Sequence, residues 1–118
     1  MIRNILQDIG YFSDQELVLF EQTVTKRPVR KGERLLSEGA VCQSVFYILS
    51  GAFYQYQAGE VQENIIDLHL EKEWMFNHTS LISQSPSMTS IRAFIESEVA
   101  VLSLYDLHAL ITFSKAFL

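Results

Sequence analysis

The chain's three histidines, its one cysteine and the carboxylates near them are where metal, redox or acid–base chemistry would sit. His69 and His78 stand nine residues apart with Glu71 and Glu73 between them, and imidazole with carboxylate is a donor set that divalent metals accept. On a strand, His69 and Glu71 would share one face at i and i+2. A second close histidine is missing and His108 falls on a later element, so exposed or hydrogen-bonded histidines are the plainer expectation. His78 as a haem ligand has less support still. Cys42 is the only cysteine, which excludes a disulfide framework and a Cys-rich zinc site. Beside Val41 it reads as a packed residue more readily than as a redox-sensitive thiol. Ser50, Ser80 and Ser90 lack an elbow motif and no histidine is tied to them, so no nucleophile and base are recognisable and no enzymatic activity is expected.

The densest basic cluster is Lys26, Arg27, Arg30, Lys31 and Arg34, in a chain whose net charge is −5. Direct nucleic-acid binding needs a concentrated basic face. Around Pro28 and Gly32 these residues read instead as a solvated strand edge, where Lys, Arg and Pro discourage pairing with other chains.

These side chains must be held by a core, and 118 residues with 48% hydrophobic and 19% charged content are enough for one. Folding at this size removes roughly two thirds of the surface of the open chain, which makes a single domain over residues 1–118 the expectation. No apolar run reaches the ~18 residues of a membrane span and Met1-Ile2-Arg3-Asn4 does not open a signal peptide, so no membrane partner and a cytoplasmic location are expected. Ile2, Ile5, Leu6 and Ile9 make one stripe of a short helix ended by Gly10. Ser13 with Glu16 makes a capping box, and Phe12 with Leu17 a hydrophobic staple, so a second helix starts at Asp14 and turns Leu17, Phe20 and Val24 inward.

From Thr25 onward, short runs of Val, Ile, Phe and Tyr are punctuated by glycine and polar turns, the mark of an all-β region. Strands are predicted over Thr25 to Arg30, Arg34 to Ser37, Val45 to Ser50, Ala52 to Gln57, Asn64 to Leu70, Thr89 to Phe94 and Glu98 to Ser103. Ser103 and Asp106 cap a final helix carrying Leu107, Leu110, Ile111 and Phe113 inward. A β core with short flanking helices predicts a compact barrel or jelly roll.

The order of landmarks carries a resemblance. Lys31-Gly32-Glu33-Arg34-Leu35-Leu36, Glu38-Gly39 and Val45-Phe46-Tyr47-Ile48-Leu49-Ser50-Gly51 resemble the first half of a cyclic nucleotide-binding domain. Ile91-Arg92-Ala93 followed by Ser97 to Ser103 looks like its closing strands. The similarity covers residues 10 to 113 and is strongest to the sensor domains of Crp/Fnr-type bacterial transcription regulators. It implies a mainly β fold, a double-stranded β-helix or jelly roll with short flanking α-helices.

In that family a phosphate-binding cassette joins two strands: a glycine-started short helix offers N–H groups, a Glu holds the ribose and an Arg neutralises the phosphate. Alignment without gaps on Ile91-Arg92-Ala93 puts Phe76 at the Gly, Asn77 at the Glu, Ser87 at the Arg and Met88 at the next small residue. Phe76 blocks the close backbone approach that glycine permits. Ser87 supplies no cation for a buried phosphodiester, a loss on the order of 3 to 5 kcal/mol. Arg92 would restore the charge only by pointing into the β core. Trp74, Met75 and Phe76 at the cassette mouth either fill the vacated pocket or line one for a less charged ligand.

The resemblance therefore implies a ligand-sensing module that does not hold cAMP or cGMP in the usual way. Its positional site residues are Phe76, Asn77, His78, Thr79, Ser80, Leu81, Ser87, Met88, Thr89, Ser90 and Arg92. No metal and no cofactor is called for; the partners implied are a small-molecule effector and a second copy in a homodimer. Such regulators reach DNA through a winged helix-turn-helix, which this sequence lacks, so DNA contact would require a C-terminal domain beyond it. Two alternatives stand beside this: a ligand-free protein-interaction module, and a small metal-binding enzyme of the cupin type.

Overall fold

The computed structural model describes residues 2–114. The elements in order are α1 (Arg3–Gln7), α2 (Asp14–Thr23), β1 (Thr25–Val29), β2 (Arg34–Leu36), β3 (Ser44–Ser50), β4 (Ala52–Gln57), β5 (Asn64–Leu70), β6 (Trp74–Met75), α3 (His78–Ser83), β7 (Ser90–Ala93), β8 (Ser97–Ser103) and α4 (Leu104–Phe113). The helix starts follow local chemistry. Ser13 Oγ accepts from the Glu16 N–H at 3.2 Å while Glu16 Oε1 accepts from the Ser13 N–H at 2.8 Å, closing the capping box. Ser103 Oγ likewise accepts from the Asp106 N–H at 3.1 Å.

The strands form two antiparallel four-stranded sheets, ordered β1-β8-β3-β6 and β2-β7-β4-β5. This is the jelly-roll alternative, and the sheets do not close into a barrel. β1 is an edge strand, exposed except at Val29, and Arg27 of the basic cluster pairs with Glu33 at 2.8 Å. The solvated-edge reading of that cluster therefore holds.

β3 is buried from Val45 through Ile48 without alternation, as expected of a central strand covered on both faces. Its apolar run shares one core with Ile5 and Leu6 of α1, Leu17 and Phe20 of α2, and Leu110 of α4. Burying each such side chain stabilises by about 1.5–3 kcal/mol. β4 alternates from Ala52 to Gln55, and a register shift then leaves Tyr56 buried as well. Phe53 pairs with His69 and Ala93, all three buried, whereas Tyr54 pairs with Leu68 and Arg92 on the outer face.

The β3–β4 turn depends on Gly51, whose φ is +101° and whose added Cβ would lie 2.0 Å from Ser97 Oγ. Three sequence expectations need correction. Ile9 lies beyond the end of α1 and is 64% exposed, and Phe113 is exposed on α4. Thr89 precedes β7, which runs only from Ser90 to Ala93. The short β6 and helix α3 have no periodic apolar pattern of their own.

Candidate functional site

Residues 76–92 occupy the position where the cassette is expected, and their polar groups are used internally. Asn77 is the N-cap of α3, its Oδ1 accepting from the Ser80 N–H at 2.9 Å. Its Nδ2 donates to Thr89 Oγ1 at 2.8 Å, and that hydroxyl donates onward to Gln55 Oε1 at 2.9 Å. Gln55 Nε2 donates to the Phe76 carbonyl at 3.2 Å and lies 3.0 Å from His69 Nε2.

The direction of this chain is fixed by its one obligate acceptor. A carbonyl only accepts, so the Gln55 nitrogen must face Phe76, and the same nitrogen donates to His69 Nε2. His69 Nε2 is therefore bare and the ring proton sits on Nδ1, 3.7 Å from Glu73 Oε1. Asp67 Oδ2 lies 4.0 Å from Nε2. Gln55, His69 and Thr89 are each buried to 9% exposure or less, where an unmet polar group costs ~1–3 kcal/mol.

The other positional residues disperse. Ser87 is buried, its Oγ donating to the Thr89 carbonyl at 2.8 Å and accepting from the Thr89 N–H at 3.2 Å. Ser80 Oγ accepts from the Cys42 N–H at 2.8 Å and donates to the Ser85 carbonyl at 2.6 Å. Ser90 Oγ accepts from the Glu38 N–H at 2.9 Å, and Leu81 joins the core. His78, Thr79 and Met88 face solvent. Cys42 is buried, its thiol donating to the Ser44 carbonyl, as a packed residue should be.

Arg92 points away from the inner face. Its guanidinium donates to Tyr54 Oη at 3.2 Å and Glu63 Oε2 at 3.0 Å, and lies 4.7 Å from the Tyr56 ring centre. The Tyr54 hydrogen bond, then the Tyr and Glu63 charges, raise its pKa against the opposing effect of burial. The cation is committed on the outer surface of the second sheet.

The aromatic residues at the cassette mouth do not plug the inner pocket. Met75 enters the core, while Trp74 and Phe76 line a cavity of about 380 Å³ with Leu6, Phe20, Leu81 and Leu110. His69 and Glu71 do not form a pair either: Glu71 lies past the end of β5 and is exposed, and the carboxylates near His69 are Asp67 and Glu73. Among the described residues no three His, Cys, Asp or Glu side chains are arranged to hold a metal ion.

Gln55 was not singled out by sequence reasoning. Its signal is positional, since it follows Phe53 by two on β4 and so shares the buried face.

Comparison with known proteins agrees with this architecture. The family described as cyclic nucleotide-binding domain matches residues 26–112. No curated protein matches the chain in sequence. Among solved structures, a cyclic nucleotide-binding domain from Methylobacillus flagellatus superposes with a TM-score of 0.81 at 21% identity, covering 98% of this chain and 67% of the other. The Thermus thermophilus catabolite activator protein gives 0.77 at 20% identity, covering 96% of this chain. This chain thus spans about half (52%) of that protein. The sensor domain of the transcriptional regulator DNR from Pseudomonas aeruginosa gives 0.78 at 15% identity, covering 96% of this chain and 75% of the other. At these identities the shared property is the fold, and among the described residues no helix is long and apolar enough to cross a membrane. With the family match running from β1 into α4 over the two sheets just described, the chain belongs to the cyclic nucleotide-binding domain family.

Proposed function

We propose that the chain is the sensor module of a Crp/Fnr-type transcription regulator whose cassette does not capture cAMP or cGMP. The observation that carries this is the state of the two groups a phosphate would need. Ser87 stands at the arginine position, buried and bonded to Thr89, and Arg92 is turned to the outer face against Glu63. A phosphodiester placed at the inner face would meet hydroxyls and amides already paired with each other, and no cation. The module works in the cytoplasm without catalysis, metal or cofactor. It acts as a homodimer on a small-molecule effector, with DNA contacted by a further domain.

A thermal-melt comparison tests the nucleotide statement. A micromolar ligand at 1 mM stabilises by about 4.1 kcal/mol, a rise of roughly 10 °C or more for a domain of this size. With cAMP or cGMP at that concentration we expect a change under about 1 °C; a rise of several degrees refutes the proposal. A second reading, an interaction module without effector, draws on the exposed Ile65, Leu68 and Phe94 of the outer face. It predicts unchanged melting with every metabolite tried.

A further inference from the structure

Each sheet ends on two edges, and among the described residues three of the four are blunted. β1 carries Lys26, Arg27 and Pro28, β2 has three residues and β6 has two. Lys, Pro and shortness are devices that keep an edge from pairing with another chain. β5 has none of them: it is seven residues long, holds no Lys, Arg or Pro, and is paired with β4 along one side only. Its apolar side chains stay outside the core. Ile65, Ile66, Leu68 and Leu70 are each more than half exposed, as is Phe94 across the same outer surface. Leu68 and Leu70 pair with Tyr54 and Ala52, while Asp67 and His69 pair with the inward Gln55 and Phe53, so period two sets Ile66, Leu68 and Leu70 in one outer row. The Leu68 and Leu70 N–H groups donate to exposed carboxylates, Asp67 Oδ1 and Glu73 Oε2, each at 2.9 Å, and therefore look out from the open edge.

From this edge we propose that β5 pairs antiparallel with β5 of a second copy, about a two-fold axis through Leu68, joining the β2-β7-β4-β5 sheets of the two copies into one continuous sheet. The occupant follows from self-complementarity. A two-fold axis normal to the sheet sets each residue opposite one of the same parity in the second copy. Centred on Asp67 it brings two carboxylates directly opposite, and centred on His69 it brings Asp67 opposite Glu71; like charges so placed are destabilising. Centred on Ile66 it sets Leu68 opposite Asn64 and Ile65 opposite Asp67. Centred on Leu68 it sets Ile66 opposite Leu70, so that three apolar residues from each copy form one cross-strand ladder, and it sets Asp67 opposite an imidazole, His69, in place of a second carboxylate. The Leu68 and Leu70 N–H groups then meet main-chain carbonyls, and the two carboxylates that hold them return to solvent. An edge contact of this kind lies at the small end of interfaces, below about 1,200 Å², so the dimer forms with rising concentration. The pairing deepens the homodimer of the sensor reading, on which its biological purpose rests, by naming the surface that makes it.

A residue on the axis meets its own counterpart, which allows a charge-swap test at Leu68. Sedimentation of the wild-type chain over a dilution series is expected to show a monomer–dimer equilibrium. Leu68→Lys and Leu68→Glu each set like charges opposite and lose the central apolar pair, weakening self-association roughly tenfold or more. The two variants mixed set a lysine opposite a glutamate, and dimer is expected to return as a heterodimer. Tyr11→Lys, at a more exposed position outside β5, is expected to leave self-association unchanged.

Should either Leu68 variant not fold, amide exchange of the wild-type chain decides. Protection at Leu68 and Leu70 must rise with chain concentration, and that at Tyr11 must not. A dimer indifferent to both Leu68 charges, a mixture that stays monomeric, or edge amides indifferent to concentration overturns the inference. So does a wild type that remains a monomer throughout, which would leave the edge to a strand of a different protein. None of these readouts needs an effector or DNA. A melting rise with cAMP would sink the nucleotide statement and leave the pairing standing, whereas a dimer unmoved by the Leu68 variants would do the reverse.

Discussion

Thr89→Val is the sharpest probe of whether side chains hold the inner pocket together. Valine keeps the shape and removes the hydroxyl that donates to Gln55 Oε1 at 2.9 Å and accepts from Asn77 Nδ2 at 2.8 Å. Two polar atoms lose their partner at once. Gln55 is buried and its oxygen is left without a donor, at about 1–3 kcal/mol. The half-buried Asn77 amide adds ~1 kcal/mol through the weakened cap of α3. The sum is about 2–4 kcal/mol, a melting drop of roughly 8–16 °C at ~4 °C per kcal/mol. Urea melts of the wild type, Thr89→Val, Gln55→Leu and the double variant complete a cycle. Once Gln55 is gone, the valine no longer strands its oxygen, so the double variant should be less destabilised than the sum of the singles by about 1–2 kcal/mol. A Thr89→Val loss below about 0.5 kcal/mol, or strict additivity, would show that water rather than this network satisfies the pocket, and the argument for an occupied cassette would fall.

Gly51→Ala should be among the most damaging single substitutions. The positive φ costs about 1–3 kcal/mol, and the 2.0 Å approach to Ser97 Oγ adds a similar amount as overpacking. Adding Ser97→Gly removes the Oγ and the Cβ at 2.5 Å but not the Cα at 2.9 Å, so chemical melts should show partial rescue, and full rescue or none counts against the geometry. Acid should destabilise through three depressed carboxylates: Glu16 bonded first by Ser114 and then by the Ser13 N–H, Glu21 by Arg3, and Glu33 by the Arg30 N–H and Arg27. Folded values below the unfolded ones mean that this stabilisation is full above the ordinary carboxylate range and is lost as pH falls through the folded values. Melting temperature should therefore decline below about pH 4, and less steeply in high salt because these groups lie near the surface; a flat profile down to pH 2.5 would refute it.

Much of the fold is legible in order along the chain, because the forces that set it act over a few residues. Ser13 with Glu16 and Ser103 with Asp106 start helices where their side chains can reach backbone N–H groups three residues on. Short runs of Val, Ile, Phe and Tyr between glycine and polar turns mark seven of the eight strands. The missing strand, β6, is two residues long and exists only because β3 offers Tyr47 and Phe46 as partners. The family landmarks were likewise readable.

The sequence by itself determined the helix caps and most of the strands. Only the tertiary structure decided which side chains meet on the inner face. Period two says that Arg92 and Ile91 face opposite ways, and not which way is inward; pairing with Tyr54 and Gln55 settles that. Gln55, His69, Asn77 and Thr89 are far apart in sequence and have no common motif. They meet because β4 pairs with β5 and β7 in one sheet while the α3 cap closes over its inner face. A hydrogen bond between distant residues is a property of that register, and no local pattern encodes it.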